Sequence, residues 1–94
     1  MSQSGRQQHE LCYAGRVQGV GFRYTVRSLA IGFDVTGFVR NLSDGRVQLV
    51  VEGQDSEVAA FIEAIKAEMQ HYIGDVREIV RPAAGRFPSF EIRH

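Results

Sequence analysis

The sequence predicts a single α+β domain in which one antiparallel sheet carries two helices on the same face. Three observations predict it. Two stretches repeat apolar residues at helical spacing, several others alternate them at a period of two, and the two kinds follow one another as strand, helix, strand, strand, helix, strand, with a short extra strand. Length sets the scale: 94 residues at 44% hydrophobic content suffice for one core but not for a second domain.

The elements follow in order. Residues 1–8 are polar and unpatterned and read as a loose tail, with the folded domain over 9–94. Glu10 to Arg16 alternates around Leu11 and Tyr13 and leads as a strand into a glycine-studded turn. Phe22, Val26, Leu29, Ala30 and Phe33 then mark the apolar stripe of a first helix that stops near Gly32. Val35 to Leu42 and Arg46 to Gly53 alternate on either side of Ser43-Asp44-Gly45, the pattern of a hairpin. Asp55 or Ser56 is placed to cap a second helix whose inward face is Val58, Phe61, Ile62, Ile65 and Met69. Val76 to Arg81 reads as a strand halted by Pro82, and Phe90 to Arg93 as a short last one. This order is the split βαβ, or ferredoxin-like, sandwich.

Charge and composition narrow the function. Eleven Lys plus Arg balance eleven Asp plus Glu, which argues against a general polyanion-binding surface. The balance is uneven, because residues 1–47 carry net +3, all of it on Arg, and residues 48–94 carry net −3. One cysteine, Cys12, allows neither an intrachain disulfide nor a multi-cysteine metal site, and it reads as a buried strand residue. No apolar run has the length of a membrane span and no signal pattern opens the chain, so a soluble, cytoplasmic, monomeric protein is expected. His9, His71 and His94 are scattered and read as surface residues, offering neither a metal triad nor a base for a nucleophile; no metal and no cofactor are expected.

The chemistry is concentrated in Gly15-Arg16-Val17-Gln18-Gly19-Val20-Gly21-Phe22-Arg23. Glycines let successive N–H groups converge on one hollow, the helix that follows adds the positive end of its dipole, and Arg23 supplies a two-pronged cation. Such a hollow suits a phosphate. The run lacks the Gly-Lys-Ser/Thr ending of a nucleotide-binding loop and the spacing of a dinucleotide turn. Asn41, a poor strand former at the end of a predicted strand, reads on local grounds either as a turn residue bonding its own backbone or as a partner of Arg23. The second reading expects the first and second strands to be neighbours, so that Asn41 lies beside the loop.

The run from Gly15 to Arg23 resembles the first signature of the acylphosphatases, and Gly37-Phe38-Val39-Arg40-Asn41 followed by Gly45, Val47 and Gly53 resembles the second. Two motifs match in order, and the similarity runs from about residue 9 to the C-terminus. The resemblance implies the ferredoxin-like fold and metal-free hydrolysis of carboxyl-phosphate anhydrides to a carboxylate and inorganic phosphate. It implies that Arg23 binds the phosphoryl group and Asn41 orients the attacking water. The substrate cradle would comprise the amides of Gln18, Gly19, Val20, Gly21 and Phe22 together with Arg23. The partners implied are a small acyl phosphate, and inorganic phosphate as product or inhibitor. Tyr13, where an aliphatic residue is usual, and Phe38, in a position often held by Trp, depart from the pattern without touching that chemistry.

Two other readings remain. A non-catalytic phosphate-ligand module, such as the acylphosphatase-like domain of carbamoyl-transferring maturation enzymes, would keep the cradle without the reaction. An RNA-binding module shares the element order and finds a faint echo in Gly21-Phe22-Arg23-Tyr24, but the strand from Arg46 to Gly53 has no aromatic residue on which a base could stack. No nucleic-acid or membrane partner is therefore expected.

Overall fold

The computed structural model describes residues 6–94. Strand β1 (Arg6–Gly15) enters helix α1 (Phe22–Ala30) through the glycine loop, strands β2 (Val35–Asn41) and β3 (Val47–Gln54) form the hairpin, and helix α2 (Asp55–Met69), strand β4 (Ile73–Pro82) and strand β5 (Phe90–Arg93) complete the chain. The strand order across the sheet is β4-β1-β3-β2-β5. β3 therefore lies between β1 and β2, correcting the expectation that the first two strands are neighbours. β5 runs parallel to β2 while every other pairing is antiparallel, so the sheet is mixed.

Period-two alternation decides what each face carries. Leu11 and Tyr13 of β1, Val47, Leu49 and Val51 of β3, and Val35 and Val39 of β2 turn to the helices, where Phe22, Val26 and Ala30 of α1 and Val58, Phe61, Ile65 and Met69 of α2 close the core. Phe61 and Ile65 are wholly buried, each worth roughly 1.5–3 kcal/mol in apolar surface removed from water. These are the predicted inward residues, and Ile62 packs against the same core half-buried. Phe33, assigned to the end of the first helix, falls just past it and sets its ring 5.7 Å from that of Phe61.

The helix-free face is partly covered by the connection from β4 to β5. Phe87 of that connection meets Phe38 edge-on at 5.8 Å, and the Arg93 guanidinium lies 4.1 Å from the Phe38 ring centre. Beneath it Glu52, fully buried, accepts from Gln8 Nε2 at 2.6 Å and from the amides of Ala84 and Gly85 at 2.7 and 2.9 Å. Burial pushes the Glu52 carboxyl up, but these three donors and the nearby Arg6 outweigh it and hold the group below its ordinary range.

Three boundaries differ from the sequence reading. β1 begins at Arg6, so residues 6–8, read as tail, are strand; Gln8 is buried by its bond to Glu52, a partner 44 residues away. Residues 1–5 of that tail lie outside the described residues. The residue preceding α2 is Gln54, with no side-chain cap, and Asp55 lies inside the first turn, where a carboxylate favours the positive end of the dipole. β4 starts at Ile73, three residues early, because pairing with β1 continues through an irregularity at Ala14 and Gly15. Cys12 is in a strand as read, half-buried on the helix-free face.

Candidate active site

The loop between β1 and α1 takes its shape from two glycines that the following helix requires. Gly19 and Gly21 both hold φ at +78°, a left-handed backbone that suits glycine, and open space stands where a Cβ would be at either position. Gly21 is the residue that caps α1, and it brings no side chain to the exposed amides. No acidic residue occupies the first turn, and the first backbone bond into the helix runs from Thr25 N to Gly21 O at 3.0 Å. The amides of Phe22 and Arg23 thus have no side-chain cap, at the end of α1 where the dipole is positive.

That end of the helix opens on a cavity of about 170 Å³ lined by Val17, Gly19, Gly21, Phe22, Arg23, Tyr24 and Asn41. Arg23 and Asn41, from two motifs and two elements, are brought together. Val17 and Phe22, nearly inaccessible to solvent, form the apolar floor, where a charge held by Arg23 is weakly screened. Asn41 reaches the cavity across one intervening strand: it closes β2 opposite Val47 of β3. The hairpin turn does not occupy its amide, because Asp44 accepts from the Arg46 amide at 3.0 Å and Leu42 N donates to Arg46 O at 2.8 Å. Among the described residues the Asn41 side chain makes no hydrogen bond, and the reading of it as a turn residue bonding its own backbone is set aside.

Gln18 and Val20 are named for the cradle through their backbone amides, and the side chain of neither lines the cavity. The Gln18 side chain turns away from the cavity and donates to Leu42 O at 2.8 Å and to Arg46 O at 3.0 Å, bolting the loop to the hairpin. Val20 is exposed at the loop's tip. Sequence reasoning missed three contributors. Val17 builds the floor and Tyr24 the rim, and both could have been sought beside the glycines. The third is the chain's last strand: Arg23 Nη1 donates to Arg93 O at 3.4 Å and to His94 Nδ1 at 3.3 Å, and nothing local in the sequence signals it. His94 is therefore a neighbour of the site. His9, also read as a surface residue, is half-buried and bonds Glu78 at 2.6 Å.

Burial, with the charge of Glu78 beside it, pushes the Tyr13 hydroxyl well above the usual phenol range. That hydroxyl is buried and unpaired among the described residues, next to a hollow of about 320 Å³ lined by residues of β1, α2 and β4, away from the glycine loop. No group of three or more His, Cys, Asp or Glu suited to a metal occurs among the described residues.

The molecule is thus a five-stranded α+β sandwich whose first helix opens on a glycine-lined cavity that also holds one arginine and one asparagine amide. A model of the acylphosphatase family matches residues 9–92. The acylphosphatase of Syntrophotalea carbinolica is 43% identical over 83 residues, an alignment spanning 84% of this chain and 87% of that protein. The acylphosphatase of Bacillus subtilis is 44% identical over 59 residues, covering 63% of this chain and 65% of its own length. A crystal structure of acylphosphatase from Bacillus subtilis superposes with a TM-score of 0.84 over 94% of this chain and 99% of that one, at 31% identity. The chain belongs to the acylphosphatase family, and it is a hydrolase of acyl phosphates.

Proposed function

We propose that the cavity holds the phosphoryl group of a small acyl phosphate, with Arg23 and the loop amides on its oxygens and Asn41 on the attacking water. The observation that carries this is the shared cavity: a fixed cation, uncapped amides and an unengaged side-chain amide all face it. The water oxygen attacks phosphorus, the bond from phosphorus to the acyl oxygen breaks, and the carboxylate leaves with the electron pair. A carboxylate is a good leaving group, so the step asks for no strong general acid. The charge that develops sits on the phosphoryl oxygens, where Arg23 and the helix end stabilise it. Asn41 fixes the line of approach, and the water's proton passes to a phosphate oxygen. The reaction so built uses no metal and no cofactor.

The working form is a monomer in the cytoplasm, acting on small molecules and not on nucleic acid. Among the described residues no helix is long and apolar enough to cross a membrane. The test is release of inorganic phosphate from acetyl phosphate in the presence of a chelator, with the affinity for inorganic phosphate measured separately. Chelator-insensitive turnover that inorganic phosphate inhibits is the expected result. A folded protein that binds phosphate but turns nothing over is the phosphate-ligand module instead.

A further inference from the structure

The side chains around the cavity can be assigned one by one, and one is left over. Val17 and Phe22 are floor, Gly19 and Gly21 contribute backbone, Arg23 takes the phosphoryl oxygens and Asn41 the water. Tyr24 remains. It is 66% exposed, and of the chain's six Phe and three Tyr it alone is classed as exposed, the others being buried or half-buried. It stands next in sequence to Arg23 and lines the same cavity, so its ring is open to a group that emerges from the cradle.

Size points the same way. A cavity of about 170 Å³ is well below the roughly 300 Å³ at which pockets that enclose whole drug-sized ligands begin. It accepts a phosphoryl group and leaves the acyl group outside, over the rim. Tyr24 also borders a second, shallow hollow along α1, shared with Thr25, Ser28 and Leu29 and faced by Glu68 from α2, so it is common to the cradle and that hollow. A flat acyl group emerging from the cradle toward α1 meets the ring. The carboxylate of Glu68 disfavours a second negative charge on the far side of that group.

We infer that Tyr24 is the acyl-group platform of this enzyme, its ring setting how strongly an uncharged aromatic acyl group is favoured over a short aliphatic one. The inference rests on the reading of the cavity given above. Ring-on-ring contact contributes about 0.5–1.5 kcal/mol beyond area burial, and one factor of ten in an equilibrium corresponds to about 1.4 kcal/mol. The readout is thus a change of about three- to tenfold in selectivity.

The experiment compares kcat/KM for benzoyl phosphate and acetyl phosphate in wild type, Tyr24→Ala and Tyr24→Phe, with folding followed by circular dichroism. Wild type prefers benzoyl phosphate, Tyr24→Ala lowers the benzoyl-to-acetyl ratio about three- to tenfold chiefly through KM, and Tyr24→Phe keeps the ratio because the ring and not the hydroxyl carries it. A ratio unmoved by Tyr24→Ala overturns the inference, and so does an equal fall for both substrates, which makes Tyr24 a support of the cradle. If wild type hydrolyses neither substrate, the reading of the cavity fails and the platform with it; if wild type hydrolyses both and Tyr24→Ala leaves their ratio unchanged, only the platform fails.

Discussion

The glycine loop with the first turn of α1 and the far end of the β2–β3 hairpin meet at one cavity, yet they are built in opposite ways. The loop presents charge and fixed dipoles: backbone amides with no competing cap, the positive end of a helix, and a guanidinium steadied by the carbonyl of Arg93 and the ring of His94. The hairpin presents a single neutral amide, released for use because Asp44 and the backbone of Leu42 complete the turn without it. Static charge of the first kind acts on bound phosphate and on the transition state together, whereas a positioned amide acts on the line of attack. On the proposed reading binding and turnover are divided between two arms, and substitutions in each should separate them.

The largest effect is expected from Arg23→Gln, which removes the cavity's fixed cation and with it both phosphate binding and turnover; phosphate titration and acetyl phosphate hydrolysis check the two losses independently. Asn41→Ala comes next. It should raise the barrier by about 3 kcal/mol while leaving the affinity for inorganic phosphate within about twofold, in keeping with the removal of a positioning donor. Full turnover in that variant would merge the two arms into one and defeat the distinction.

Gln18→Ala tests the bolt between the arms. It removes two hydrogen bonds from the loop to the hairpin, at a cost of about 1–2 kcal/mol in stability. With loop and hairpin free to shift, turnover should fall about tenfold, more than phosphate affinity, because alignment is more sensitive than charge to small displacements. Thermal melts and the same two assays would read all three numbers.

The smallest effect on the site is expected from Glu52, which works on the sheet's other face. Its carboxyl titrates below its ordinary value of 4.5 in the folded protein, so the stabilisation it adds is complete above about that pH and is lost as pH falls through the depressed folded value. Acid unfolding of wild type should steepen in this window, and Glu52→Gln should flatten the curve while costing about 1–3 kcal/mol at neutral pH through the buried amides left poorly paired. Denaturant melts at pH 7 and pH 4 would show it. A changed kcat at pH 7 would instead couple the far face to the cradle.

Much of this architecture was legible because its signals are local. The alternation of Val47, Leu49 and Val51 and the helical spacing of Val58, Phe61, Ile65 and Met69 each name a buried face from a handful of neighbouring residues, and the structure places all seven in the core. Gly19, Gly21, Phe22 and Arg23 were legible for the same reason, since a turn into a helix is specified by consecutive residues. Arg6 to Gln8 were not. They look like tail because their pairing is with Glu52, Gly53, Gln54, Arg81 and Pro82, and a polar strand shows no pattern of its own.

The sequence by itself determined the elements, their order, the core faces and the phosphate loop with its arginine, because periodicity and glycine punctuation act within a few residues of themselves. The tertiary structure decided the rest: that β3 separates β1 from β2, that Asn41 nonetheless shares a cavity with Arg23, that Gln18 binds carbonyls 24 and 28 residues away, and that the last strand steadies Arg23 across 70 and 71 residues. Such contacts are set by strand order and register, which arise from burying all the apolar faces at once and which no short stretch of sequence encodes.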